Sequence, residues 1–183
     1  MEQVRDIDLL KTWTLHSVLN FTRYFFKQKF KRKFVVGQHH VAIGKALDRV
    51  LSGECKRLII NIAPRYGKTE LAVKNFIAMG LAINPKAKFI HLSYSDDLAR
   101  DNSRGVQEIL REDSYRRLFP ETKPTSINTR KWFTSAGGGL YAVSSAGQVT
   151  GFGAGIVDKD EEEELSAEVE ELASVDDGNF GGA

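Results

Sequence analysis

Residues 57–70, RLIINIAPRYGKTE, read as a strand, a phosphate loop and the start of a helix in one unbroken run, and that run restricts the fold more than any other stretch. Four of the six residues at 57–62 are Leu or Ile, which suits a strand buried on both faces of a parallel sheet. Residues 63–67 break the run. From Thr69 onward, TELAVKNFIAMGLAI carries apolar residues at helical spacing. Gly67, Lys68 and Thr69 therefore stand at the turn between strand and helix. A triphosphate site needs them there: backbone N–H groups and the helix N-terminus face the anion, the lysine reaches the β- and γ-phosphates, and the threonine hydroxyl ligates Mg²⁺. The usual pattern opens on a Gly five positions before the second one, and here that position is Ile62. Pro64, Arg65, Tyr66 and Glu70 complete the candidate ATP-binding set. For Arg65 two readings stay open: a fixed cation that stabilises charge on transferring phosphate, or a solvated loop residue.

A chain of 183 residues with 42% apolar composition can bury one good core. The single cysteine, Cys55, excludes an internal disulfide and fits a reducing compartment. No apolar run approaches membrane length, so the expectation is a soluble, cytoplasmic protein. The net charge of +2 conceals a division. Residues 158–183 hold eleven of the 24 acidic side chains and one basic one, which leaves 25 basic against 13 acidic residues in 1–157. No acid occurs between Leu9 and Leu47, whereas Arg23, Lys27, Lys29, Lys31, Arg32 and Lys33 crowd among Tyr24, Phe25, Phe26, Phe30 and Phe34. Such a cluster suits contact with a DNA backbone. The competing reading is a solvated face whose aromatics, at helical spacing, turn toward the core.

Residues 38–51 read as an amphipathic helix that feeds, through Ser52 and Gly53, into the 57–62 strand. Gln38 opens it, either as an amide that reads an adenine edge or as an exposed helix-start residue. His39 and His40 lack further ligands at metal spacing and read as surface or packing residues. After Asn84 and Pro85, residues 87–94 form a second expected strand. Ser95 then caps a helix running to about Asp113, with Asp96 and Asp97 in its first turn. This alternation implies a parallel sheet with helices on its faces, and places 93–95 at the ligand-binding ends of the strands. Residues 132–145 alternate like a hairpin with Gly137, Gly138 and Gly139 at the turn. The glycine-rich stretch that follows is a weak signal by itself.

The ordered set RLIINIAPRYGKTELAVKNFIA, NPKAKFIHLSYSDDLARDNSRGVQEIL, RRLFP and WFTSAGGGLYAVSSAGQVTGFGAG resembles the N-terminal part of the ATPase domain of the large terminase subunit of tailed bacteriophages, over about residues 35–155. The resemblance implies an α/β fold: an incomplete P-loop NTPase (RecA-like) three-layer domain with a mainly parallel sheet, preceded by a helical segment. It divides the chain into a basic helical segment (1–34), a partial ATPase domain (35–157) and an acidic insert (158–183). It further implies ATP and Mg²⁺ as cofactors, and double-stranded DNA, the small terminase subunit and the portal as partners, with a homo-oligomeric ring in the full-length protein. Lys68 and Arg65 would then be catalytic, Gln38 would contact adenine, and Thr69 would hold Mg²⁺ through its hydroxyl.

Hydrolysis by such proteins also needs an apolar strand ending in paired acids, one for Mg²⁺ and one for water. In GAGIVDKDEEEE only Ile156 and Val157 precede Asp158, and the expectation is that no such strand forms there. The acidic stretch 159–175, with Leu165, Val169 and Leu172 at helical spacing, reads as a solvated insert carrying a short helix. Residues 179–183 look like the lead-in to the missing strand, so nucleotide binding without turnover is expected. Two competing classes share the signals: a helicase-like or restriction-translocase ATPase, and a non-enzymatic fragment binding DNA or a partner through the basic face.

Overall fold

The structure, a computed structural model, describes residues 2–144 and 153–159. The expected helix at 159–175, the lead-in at 179–183 and most of the glycine-rich stretch lie outside the described residues. Three helices come first: α1 (Glu2–Leu15), α2 (Val18–Phe30) and α3 (Gln38–Leu51). The Ser17 hydroxyl accepts from Asn20 N–H to cap α2, and Asp48 Oδ1 on α3 accepts from Val18 N–H at 2.7 Å, so α2 is capped twice. The next helix opens with a π-helical stretch, Thr69–Asn75, and continues as α4 (Phe76–Ile83). Asn75 Nδ2 donates to Glu70 O at 2.7 Å, spanning the same five-residue interval as π-type backbone bonds. Residues 76–81 are all buried, which makes α4 the central helix of the core.

Four strands form one sheet in the order β2-β3-β1-β4: β1 (Lys88–Ser93), β2 (Lys131–Phe133), β3 (Gly139–Ser144) and β4 (Ile156–Lys159). β1 pairs in parallel with both β3 and β4, while β2 pairs with β3 as an antiparallel edge. Trp132 stands opposite Leu140 and Phe133 opposite Gly139, so the hairpin expected around the glycines is present. Between β1 and β2 lie α5 (Asp96–Arg111), whose cap Ser95 accepts from Leu98 N–H, and the short α6 (Asp113–Leu118). Gly80 of α4 packs so closely on Phe89 that a Cβ there would press into the ring. α4 ends at Ile83, shortly before β1 begins at Lys88.

Two expectations about strands are corrected. Residues 57–62 form no strand. Leu58, Ile60 and Ile62 pack against the core while Ile59 is 94% exposed, so one face is covered instead of two. Both edges of β1 are taken by β3 and β4, and the extended stretch pairs with no described strand, so packing of alternate side chains on the core is what holds it. Conversely, residues 156–159 do form a strand where none was expected. Gly155 N–H donates to Lys88 O at 3.1 Å to start the ladder, Asp158 falls opposite His91, and Ile156 packs against the core. The expected break at 157/158 therefore falls inside β4.

The N-terminal helices share the main core with the sheet: Val18, Phe21 and Phe25 join Leu71, Ile77, Phe89, Tyr115 and Leu140 in one cluster. Phe21 and Phe25 meet with ring centroids 4.4 Å apart, and Phe25 and Tyr115 at 5.4 Å, which welds α2 to α6. All the described helices lie on this face of the sheet. The opposite face carries a small cluster of Ile90 and Val143 flanked by Leu92, Tyr141 and Ala154.

Candidate nucleotide-binding loop

The loop between the extended stretch and the π-helical turn is shaped by two left-handed residues. Arg65 has φ 67° and Gly67 has φ 75°. Glycine bears this conformation without penalty, whereas a side chain there costs on the order of 1 kcal/mol. Lys68 follows in right-handed helical conformation at φ −50°, ψ −55°. A left-handed residue followed by a right-handed one aims successive N–H groups toward one concavity, and the first N–H groups of a helix have no intrahelical acceptor. Pro64, Arg65 and Tyr66 are exposed, whereas Gly67, Lys68, Thr69 and Glu70 are half-buried. Glu70 is engaged with Lys74 Nζ at 2.6 Å, one turn along the same helix. Gly105 of α5 admits the Lys74 side chain, since a Cβ at 105 would stand 2.8 Å from Lys74 Cδ and Cε.

Gln38 is exposed at the first position of α3. Both histidines of that helix turn, read from the sequence as surface or packing, reach the loop: His39 meets the Tyr66 ring edge-on at 5.5 Å between centroids, and His40 contacts the loop backbone. His40 is 7% exposed and its Nε2 lies 2.8 Å from Tyr66 O. Burial pushes its pKa below the ordinary histidine value and nearby His39 adds to this, against the raising effect of the Tyr66 carbonyl. Its spacing offered one signal. His40 is the third residue of α3, where a side chain reaches back to the N-cap, and its Nδ1 accepts from Gly37 N–H at 2.9 Å. Glycine has no side chain to return that bond, so only half of a capping box is formed.

At the carboxyl ends of the strands, Asp96 Oδ1 accepts from Ser144 N–H at 3.1 Å and ties β3 to the start of α5. Hydrogen bonds from Ser144 hold this carboxyl below its usual range, helped by Arg130 and Arg100. Ser93 is 1% exposed and its hydroxyl has no hydrogen-bond partner among the described residues. Tyr94 is exposed and Ser95 serves as a cap.

The basic cluster is largely exposed. Arg23, Lys27, Lys31, Arg32 and Lys33 are exposed, but Lys29 Nζ pairs with Glu108 at 2.5 Å. The Arg32 guanidinium lies 5.8 Å from the Phe26 ring centre. Its aromatics divide: Phe25 is buried in the core, Phe30 is 40% exposed, and Phe26 and Phe34 are half-buried. Two clefts lie apart from the loop, one of 440 Å³ bordered by Asp6, Tyr24, Lys31 and Arg117, and one of 390 Å³ bordered by Leu51, Ile83, Phe89 and Ile156. No helix among the described residues is long and apolar enough to cross a membrane.

Among the described residues no group of three or more His, Cys, Asp or Glu is placed to hold a metal. Magnesium carried by a triphosphate needs fewer protein ligands than that, since it keeps several waters and takes phosphate oxygens beside one or two protein oxygens. The half-buried Thr69 at the helix start, behind a left-handed glycine, fits that role. Comparison with family models, with curated proteins and with solved structures finds no match to this chain.

Proposed function

We propose that this chain is the ATP-binding part of a RecA-like P-loop motor ATPase of the kind found in the large terminase subunit of tailed bacteriophages, which drives double-stranded DNA into a procapsid. The observation that carries the reading is Gly67 at φ 75° directly before Lys68 and Thr69, at the head of a helix that runs on to Ile83. In this reading the N–H groups of Gly67, Lys68 and Thr69 receive the β- and γ-phosphates, and Lys68 supplies the fixed cation. Thr69 holds Mg²⁺, which when bound neutralises charge between those phosphates. Arg65, exposed on the loop, is available to the γ-phosphate, and Gln38 to the adenine. The small terminase subunit, the portal and a ring of copies are the partners that go with this reading.

Turnover at a motor's rate is not part of the proposal. β4 supplies a strand beneath Asp158, but the residue after it is Lys159, where a second acid is needed to position water. The test is Mg·ATP binding by the 183-residue chain and by Lys68→Ala. The reading predicts affinity in the first and its loss in the second, with little phosphate release by either. Equal affinity in both would refute the loop assignment.

A further inference from the structure

One histidine joins the loop to the turn that carries Gln38, and the reading above gives it no role. His40 makes two directional contacts with backbone: Nδ1 accepts from Gly37 N–H at 2.9 Å, and Nε2 lies 2.8 Å from Tyr66 O. A carbonyl can only accept, so Nε2 carries the proton, Nδ1 keeps its lone pair, and one neutral tautomer satisfies both. The ring is held from two sides. Phe34 meets it edge-on at 4.8 Å between centroids, and His39 Nε2 lies 3.2 Å from His40 Nε2. The loop glycine is where this ring closes on the backbone: a Cβ at position 67 would stand 3.0 Å from His40 Nε2 and 3.3 Å from Phe34 Cζ.

We propose that His40 is a positioning residue for the phosphate loop, pinning the Tyr66–Gly67 peptide so that its N–H faces the bound phosphates. In a trans peptide the C=O and the following N–H point in opposite directions. No cis peptide occurs among the described residues, so fixing Tyr66 O toward α3 turns Gly67 N–H away from α3. A donor fixed in advance need not be ordered when ligand binds, which lowers the cost of binding. The same imidazole bonds Gly37, the residue before Gln38, so the two ends of the site are set in register by one side chain.

This inference rests on the nucleotide reading, and its test separates the two. His40→Met keeps bulk and removes both hydrogen bonds, and His40→Gln keeps bulk and can still donate to Tyr66 O. Two readouts are taken on the full chain, with thermal unfolding as a check on the fold: Mg·ATP affinity, and the rate of cleavage after Arg65 by an arginine-specific protease without nucleotide. His40→Met is expected to weaken Mg·ATP about five- to tenfold, the effect of one lost neutral hydrogen bond, and to speed cleavage after Arg65 by a similar factor. His40→Gln is expected to recover most of both. Cleavage and affinity unchanged in His40→Met overturn the inference while leaving the nucleotide reading intact. An unmutated chain that binds no Mg·ATP overturns the nucleotide reading and the inference with it.

Discussion

Replacing Gly80 by Ala should destabilise this protein, although the same change in an exposed helix interior stabilises by about 1 kcal/mol. Gly80 is buried on α4, and a Cβ there would come inside van der Waals contact of Phe89 Cζ, with Cε1 at 3.2 Å and Cε2 at 3.3 Å. Phe89 is 0% exposed and its ring sits edge-on to Phe76 at 6.4 Å, so it has little room to retreat. Overpacking of this kind costs roughly 1–3 kcal/mol. Set against the helix gain of about 1 kcal/mol, the net loss is about 1 kcal/mol. Phe89→Leu removes the clashing atoms, and by itself costs roughly 1–2 kcal/mol, less than truncation to Ala. In that background Gly80→Ala should become neutral or stabilising, a favourable coupling of about 1–2 kcal/mol. Urea denaturation of the four proteins of the cycle measures it through midpoint shifts at constant m. A gain of about 1 kcal/mol from Gly80→Ala in the native background, or strict additivity with Phe89→Leu, would refute the close seating of the loop-bearing helix on β1.

Two further outcomes follow from buried and charged groups. Tyr115 donates to Ala78 O at 2.9 Å, and burial pushes its phenol well above the ordinary value of 10.0. The unfolded chain therefore releases this proton first as pH rises, so the contribution is full below about pH 10 and falls above it; Tyr115→Phe should flatten stability against pH in that window, and an identical alkaline slope in both proteins would contradict this. Replacing Lys27, Lys31, Arg32 and Lys33 by Gln should lower the salt dependence of double-stranded DNA binding by up to four phosphate contacts' worth, whereas Lys29→Gln should change it little because Lys29 is paired with Glu108; titrations at several salt concentrations check both, and equal slopes for all three proteins would remove the cluster from the DNA reading.

What could be read in the sequence was whatever local chemistry decides. Ser95 with two aspartates after it marked the start of α5, Gln38 marked the start of α3, and the glycines at 137–139 marked the turn between β2 and β3. Gly67 was placed at the turn from the sequence, and in the structure it has a positive φ. Pairing partners were not legible, because they depend on which edges remain available once the sheet forms. Four apolar residues at 57–62 looked like a central strand, yet β1 already has neighbours on both sides. Ile156 and Val157 looked too few for a strand, yet the edge of β1 gives four residues a parallel partner. His40 was passed over for a related reason: its role comes from Tyr66, 26 residues away, and no spacing within 38–51 announces that contact.

The central claim is that the turn at 64–69 receives a triphosphate, and amide NMR of the isotopically labelled chain titrated with Mg·ATP tests it most directly. Phosphate oxygens accepting from backbone N–H groups should shift the resonances of Gly67, Lys68 and Thr69 most, with smaller changes near Gln38 and His40. Those shifts should vanish in Lys68→Ala. Saturable changes confined to the cleft bordered by Asp6, Tyr24, Lys31 and Arg117, or no change at 67–69 at millimolar Mg·ATP, would contradict the account.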